Sequence, residues 1–261
     1  TATVDPHAEA VYLSGYFEAQ ILGRWPSVSV AAYFTHREEE GSEKAKLFDQ
    51  VAKQVDLRIA TAKMYADYLR EFGPTIQVHP PVERKKFTIP ESDHKESSLR
   101  AGFSGYSYRS GRKGEDLAKQ IIETKIGRKL IWQASGRGWP VPTKMYPWKT
   151  FHTFFQSLDI LVITALIEGV PMPPLEALSC GVSVVIPRGV GLLDELPDVP
   201  GIHRYKRGDV KSMEKALNEA AVLRSTVDRE ALRAVTEPYS RENWCREHKE
   251  AMEMLVTGDA P

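Results

Sequence analysis

The feature that most constrains the fold is a regular alternation of two kinds of segment from Val28 onward. Short apolar segments rich in β-branched residues, such as Val28 to Phe34, alternate with longer stretches whose apolar residues recur at helical spacing. Residues 37–56 form the first such stretch, with Leu47, Phe48 and Val51 on one face. This alternation is typical of parallel strands joined by crossover helices. The sequence therefore predicts an α/β fold.

A uniformly polar stretch from Glu91 to Ser98 divides the pattern into two runs and predicts a linker. After it the alternation restarts, and the very apolar segment 159–164 predicts a strand buried on both faces of a parallel sheet. We therefore expect a first domain over residues 1–97, linker included, and a second over 98–261. Two such domains predict a ligand cleft between them.

Charge, hydropathy and cysteine content exclude several classes of protein. Lys and Arg together number 35, as do Asp and Glu, so no overall charge favours nucleic acid or an anionic membrane. The longest apolar run, Ile160 to Ile167, is far shorter than the ~20 residues that cross a bilayer. Two cysteines, Cys180 and Cys245, predict neither a disulfide framework nor a cysteine-based zinc site. With no signal peptide pattern at Thr1, we expect a cytoplasmic protein.

Two glutamates frame the segment with the most chemical information. Glu168 follows the buried strand, and Glu176 lies eight positions later, in the predicted first turn of a helix that starts at Leu175. Carboxylates accept hydrogen bonds from vicinal hydroxyl groups, so the two could hold a sugar and a ribose. Backbone N–H groups near the helix start favour an anion. These amides belong to Gly169, Val170, Met172 and Leu175. By spacing alone, Glu176 complementing its own helix is the preferred alternative.

The residue types in this segment are more informative than the spacing of its two glutamates. Glu168, seven residues, then Glu176, Ala, Leu, Ser, Cys, Gly and an apolar strand resembles the signature of the family-four retaining glycosyltransferases of GT-B fold. The resemblance implies two Rossmann-like domains whose parallel sheets face a cleft, with Glu168 near the donor sugar and Glu176 on the ribose of the nucleotide. Many members have glycine where Pro171 stands, and proline has no N–H to offer an anion.

Further segments carry the same resemblance. Residues 104–117 resemble the family's phosphate-binding segment, in which Lys113 matches the lysine. Tyr106 replaces the usual arginine, so the resemblance leaves Arg109 or Arg112 as the second cation. His36 ends a strand and matches the histidine that meets the donor sugar, although a lone strand-end histidine is more often structural.

The two ends of the chain complete the resemblance. Only 27 residues precede the strand that begins at Val28, which predicts a shortened N-terminal domain with one strand and one helix before it. The acceptor site would then be open or completed by another chain of an oligomer. Residues 239–244 resemble the opening of a terminal helix that crosses back to the first domain.

The resemblance implies retaining transfer of a sugar from a UDP- or GDP-sugar to an unidentified hydroxyl acceptor. We expect neither a cofactor nor a metal, since the sequence has no DxD motif and no His/Cys/Asp cluster with ligand spacing. The alternative is a non-catalytic nucleotide-sugar-binding module. Two smaller features remain: the aromatic group 145–148 is interpreted as core rather than a nucleobase contact, and the basic run Arg84 to Lys86 as a solvated turn.

Overall fold

Two compact units make up the chain in a computed structural model that describes residues 4–5, 7–91, 98–107 and 110–258. Residues up to Pro81 together with those from Arg241 form the first unit, and Val82–Ser240 forms the second. The strands are β1 Ala10–Leu13, β2 Ser29–Phe34, β3 Leu57–Ala60, β4 Thr75–Gln77, β5 Arg100–Tyr106, β6 Ile131–Arg137, β7 Thr143–Lys144, β8 Ile160–Val162, β9 Ser183–Pro187 and β10 Ile202–Tyr205. The α-helices are α1 Glu43–Gln54, α2 Lys63–Leu69, α3 Glu115–Glu123, α4 His152–Gln156, α5 Met172–Ser179, α6 Val210–Leu223, α7 Arg229–Ala234 and α8 Arg241–Thr257.

The first unit is a four-stranded parallel sheet in the order β1-β2-β3-β4. Strand β3 is buried along its whole length, as expected of an inner strand of a parallel sheet. Helix α1 begins at Ser42, whose hydroxyl accepts a hydrogen bond from the N–H of Ala45. The C-terminal helix α8 belongs to this unit and packs Ala251 and Leu255 into its core.

The second unit is a six-stranded parallel sheet in the order β10-β9-β8-β5-β6-β7. The chain enters at β5 in the interior, builds outward through β6 and β7, and then returns to the other side of β5 with β8. The strand order therefore reverses between β5 and β8. Strand β8, predicted from its Ile-Leu-Val run to be central, lies between β5 and β9 with all three residues buried.

The division between the units precedes the polar stretch 91–98. Residues 82–90 pack with the second unit, because the Val82 N–H donates to the Tyr239 carbonyl (2.7 Å) and the Phe87 ring lies 5.7 Å from that of Phe155. Residues 92–97 of the predicted linker lie outside the described residues.

The α/β fold class is confirmed, and the differences concern particular elements. Helix α5 begins at Met172, three residues before the predicted start at Leu175. Proline needs no hydrogen-bond partner in the first turn of a helix, so Pro173 and Pro174 are compatible with the earlier start. Strand β10 was not predicted. Among the described residues, no helix is long and apolar enough to cross a membrane.

Candidate functional site

The carboxyl-terminal edge of the second sheet brings two predicted site residues together. Lys113 follows β5 and Glu168 follows β8, and these strands are hydrogen-bonded neighbours. They are also the strands between which the order reverses. In open α/β sheets, ligands bind in the crevice outside the carboxyl ends of the strands at this reversal. The topology therefore places both residues where such a fold binds its ligand.

The loops that follow β5 and β8 are locked to each other. The Leu166 N–H donates to the Arg112 carbonyl (2.8 Å), and the Thr164 hydroxyl donates to the Lys113 carbonyl (2.6 Å). Gly114, at the start of α3, has φ +70°, and a Cβ added there would lie 2.0 Å from the Thr164 carbonyl oxygen. Only glycine fits this approach. The backbone that carries Lys113 is therefore held against the loop that leads to Glu168.

Lys113 and Glu168 form an ion pair. Their side chains are 18% and 8% exposed, so the pair is largely removed from water. Each compensates the charge of the other, as a buried charge requires. An incoming anion must therefore compete with Glu168 for Lys113.

Glu176 lies on α5 and is 5% exposed. Burial raises the pKa of this carboxyl group from its ordinary value of 4.5 to about 8, against the opposing effect of the Lys86 charge. No side chain among the described residues donates a hydrogen bond to it. A buried carboxyl group with a strongly shifted pKa marks a candidate functional site.

The position of Glu176 also corrects one sequence interpretation. Because α5 begins at Met172, Glu176 is its fifth residue rather than a residue of the first turn. The helix dipole acts mainly within the first turn. The alternative in which Glu176 merely complements the start of its own helix is therefore disfavoured.

The predicted anion-binding amides fall into two groups. Gly169, Val170 and Met172 lie in or at the end of the β8–α5 loop, whereas Leu175 is within the helix, with its side chain buried. Prolines occupy positions 171, 173 and 174, so Met172 is the one residue of 171–174 that has an N–H. The start of α5 is therefore a weaker anion site than its position alone predicts.

The β9–β10 connection fixes this loop from the other side. The Leu192 N–H donates to the Gly169 carbonyl (2.9 Å), and a Cβ added to Gly191, at φ +48°, would lie 2.1 Å from the same oxygen. Both carboxylate oxygens of Asp194 accept from the Gly189 N–H, at 3.0 and 2.8 Å. Asp194 therefore stabilises the turn.

One further cation at this edge was not identified from the sequence. Arg207 follows β10, and its Nη1 donates to the carbonyls of Leu166 (3.3 Å) and Gly189 (3.0 Å). Arg112 is among the described residues, whereas Arg109 lies outside them. Because β10 was not predicted, there was no reason from the sequence to place Arg207 at this edge of the sheet. Its signal was the short segment Ile-His-Arg-Tyr followed by Lys-Arg-Gly.

His36 lies at the end of β2 in the first unit. Its Nε2 is 3.3 Å from Oε1 of Glu38, and its Nδ1 is 3.3 Å from the Thr35 hydroxyl. These are contacts with near neighbours in sequence, compatible with either the structural or the ligand-binding interpretation.

Trp148 corrects the interpretation of residues 145–148 as core. Its side chain is 62% exposed, and the ammonium group of Lys86 lies 3.3 Å from the ring centroid. Lys86 is therefore not a freely solvated residue of a basic turn. Elsewhere among the described residues, no group of three or more His, Cys, Asp or Glu side chains forms a cluster suited to a metal ion.

Sequence comparison relates the chain to one curated enzyme. No family model matches the chain. It is 28% identical over 193 residues to the lipopolysaccharide 1,6-galactosyltransferase of Escherichia coli K12, a match that covers 65% of this chain and 52% of that protein. The chain thus spans about half the length of this relative.

Structural comparison extends further along the chain. Anabaena HepE in complex with UDP and glucose has a TM-score of 0.74 at 12% identity, over 94% of this chain and 77% of that one. Sucrose-phosphate synthase from Thermosynechococcus elongatus has a TM-score of 0.74 at 12% identity, covering 96% and 74%. The galactosyltransferase WaaB in its apo form has a TM-score of 0.69 at 14% identity, covering 95% and 76%. The chain has the GT-B fold.

Proposed function

We propose that the protein is a glycosyltransferase that moves a sugar from a nucleoside diphosphate sugar to a hydroxyl acceptor, with retention of configuration. The observation that carries the proposal is the placement of Lys113 and Glu168 where the strand order reverses, with the buried carboxyl group of Glu176 on the helix that follows. The similarity to a galactosyltransferase supports it, and HepE, solved with UDP-glucose, favours a UDP-sugar over a GDP-sugar.

Lys113 is assigned to the diphosphate of the donor. Negative charge grows on the diphosphate as the glycosidic bond breaks, and a fixed cation stabilises that charge more than it stabilises the bound donor. Arg207 or Arg112 is proposed as the second cation, and Arg109 is a third candidate. Gly169, Val170 and Met172 would contribute amides.

Glu168 and Glu176 are assigned to hydroxyl groups. When the diphosphate takes Lys113, a hydroxyl group of the donor sugar replaces the ammonium group as the partner of Glu168. Glu176 accepts hydrogen bonds from the ribose hydroxyl groups. The resemblance assigns His36 of the first unit to the donor sugar, and His36→Asn is the variant that tests this role.

Retention follows if the acceptor attacks from the face that the diphosphate leaves. The bond between the anomeric carbon and the phosphate oxygen breaks, the bond to the acceptor oxygen forms, and the acceptor proton moves to the departing diphosphate. A double displacement instead needs a carboxylate nucleophile and a second carboxyl group about 5 to 5.5 Å apart. Glu168 is engaged by Lys113, which disfavours it as that nucleophile. With fixed cations on the phosphates, transfer is proposed to proceed without a divalent metal.

The test measures UDP binding by calorimetry and transfer from UDP-galactose and UDP-glucose. Lys113→Met should weaken UDP binding roughly tenfold to a hundredfold, as expected for a lost charged contact of ~1.5 to 3 kcal/mol. Lys119→Met, which removes an exposed lysine of α3, the helix that follows Lys113, is the matched control and should bind normally. Glu168→Gln should strengthen UDP binding, because Lys113 is released from its partner, yet lower turnover.

The outcomes separate the candidate functions. UDP binding with no transfer to water or any acceptor would favour the nucleotide-sugar-binding module. A product of inverted configuration in NMR, or activity abolished by a chelator and restored by added metal, would each contradict the corresponding part of the mechanism. Unchanged UDP binding in Lys113→Met would remove Lys113 from the site.

A further inference from the structure

Lys86 occupies a defined position within the second unit. Its ammonium group lies 3.3 Å from the centroid of the Trp148 ring and 5.6 Å from that of Phe87, and it donates to the Trp148 carbonyl oxygen. A cation over an indole face is attracted by the electrons of the ring. Two kinds of contact with Trp148 therefore hold the ammonium group in place.

The segment that carries Lys86 is attached to the helix that carries Glu176. The Ser179 hydroxyl, on α5, donates to the Phe87 carbonyl (2.8 Å). Nη1 of Arg233 donates to the same Phe87 oxygen and to the Ser179 carbonyl, each at 2.6 Å. Lys86, next to Phe87 in the chain, is therefore held beside α5.

The charged and titratable groups around Glu176 have separate partners. Burial raises the pKa of the Glu176 carboxyl group, and the charge of Lys86 opposes that effect. Burial lowers the pKa of the Lys86 ammonium group, against the opposing effects of Glu176 and of Glu83, three residues before it. Burial raises the pKa of the Cys180 thiol to about 12, so Cys180 is neutral near pH 7. Arg233 and Arg229 act on Cys180, and Arg229 donates to the Cys180 carbonyl (3.2 Å). Among the described residues, Lys86 is the cation that acts on Glu176.

We propose that Lys86 is a positioning residue for the nucleotide: from its place over Trp148 and beside α5, it favours the carboxylate form of Glu176, which accepts hydrogen bonds from the ribose. The inference rests on the proposed role of Glu176. A protonated carboxyl group keeps fewer acceptor sites than a carboxylate. Without Lys86, the Glu176 carboxyl group would hold its proton more tightly, and nucleotide binding near pH 7 would have to remove that proton.

The first part of the experiment needs no nucleotide. Melting temperature is measured from pH 6 to 10 for the wild type, Lys86→Met, Lys86→Gln, Lys86→Arg and the control Lys85→Met, which removes the exposed neighbouring lysine. Native protein that keeps a proton on Glu176 loses stability as pH rises until the carboxyl group ionises. In Lys86→Met and Lys86→Gln this decline should extend to a pH about one unit higher, since a nearby opposite charge shifts a pKa by about that much or more.

The same variants are then made in a Glu176→Gln background. There, removing Lys86 should no longer extend the decline in melting temperature to a higher pH. Lys86→Arg and Lys85→Met should follow the wild type in both backgrounds. A decline that ends at the same pH with and without Lys86, or an extension that persists in Glu176→Gln, would overturn the inference.

The second part measures UDP affinity by calorimetry at pH 7 and pH 9.5. Lys86→Met and Lys86→Gln should bind UDP about tenfold more weakly than the wild type at pH 7 and nearly normally at pH 9.5. Lys86→Arg should retain most of the affinity, and Lys85→Met all of it. Equal affinity at pH 7, or the same loss at both pH values, would overturn the inference while leaving the proposed function intact. Wild type that binds no nucleoside diphosphate would overturn the proposed function, and the stability measurements would still decide whether Lys86 controls Glu176.

Discussion

Replacing Glu176 by glutamine should make the protein more stable, and the gain should depend on pH. Burial raises the pKa of Glu176 to about 8 in the native state, against 4.5 for the free side chain. Between these two pH values the native state keeps a proton that the unfolded chain releases, so stability falls as pH rises through this window and is level above it. Glutamine has a similar shape and carries no titratable proton.

The size of the effect follows from these two values. A pH of 7 lies about 2.5 units above the pKa of the carboxyl group in the unfolded chain. Each unit of difference corresponds to about 1.4 kcal/mol. Glu176 therefore lowers the free energy of unfolding by about 3 kcal/mol at pH 7 relative to pH 4.5. Relative to the wild type, Glu176→Gln should gain about this amount or slightly more between pH 5 and pH 8. A shift of this size corresponds to roughly 6 to 12 °C in melting temperature for a unit of this length.

Urea unfolding of both proteins at pH 5, 6, 7 and 8 measures the difference directly. Glu123→Gln, which removes an exposed acid of α3, is the matched control and should differ from the wild type by less than about 0.5 kcal/mol at every pH. If the free energies of unfolding of Glu176→Gln and the wild type run parallel from pH 5 to pH 8, Glu176 is ionised in the native state and the reasoning from its burial is wrong.

Three further changes test other parts of the site. Gly114→Ala should lower the free energy of unfolding by at least about 1 to 3 kcal/mol, because the new methyl group meets the Thr164 carbonyl and φ is positive; urea unfolding would show it, and an unchanged midpoint would argue against the close approach. Trp148→Ala should leave the melting temperature within about 2 °C of the wild type, whereas Trp139→Ala, at a buried tryptophan, should lower it by far more. Arg207→Met should weaken UDP binding in calorimetry without altering the melting temperature, and normal binding would leave Arg112 or Arg109 as the second cation.

The sequence predicted the parts of the fold that depend on hydrophobic periodicity. The Ile-Leu-Val run of β8 is continuous because both faces are buried, and that pattern can be recognised without a structure. Lys113 and Glu168, 55 positions apart, were assigned to one site by the resemblance to a family, and they lie at one edge because parallel strands place their carboxyl ends together.

What could not be predicted depends on contacts between segments distant in sequence. The start of α5 was misplaced because its prolines look like a loop, although they are tolerated in a first turn. The position of Lys86 over Trp148 joins residues 62 positions apart, and no local pattern indicates it. The burial of Glu176, which determines its pKa, is likewise a property of the packed unit rather than of the sequence around it.

The ion pair between Lys113 and Glu168 also bears on how a spent nucleotide would leave. A complete donor gives each member of the pair a new partner, a phosphate for the ammonium group and a sugar hydroxyl for the carboxylate. Free UDP supplies only the first, so it separates Lys113 from the buried Glu168 carboxylate without offering that carboxylate a sugar hydroxyl, which is costly. The pair would re-form as UDP departs, so that product release is favoured by the same contact that the donor had to break.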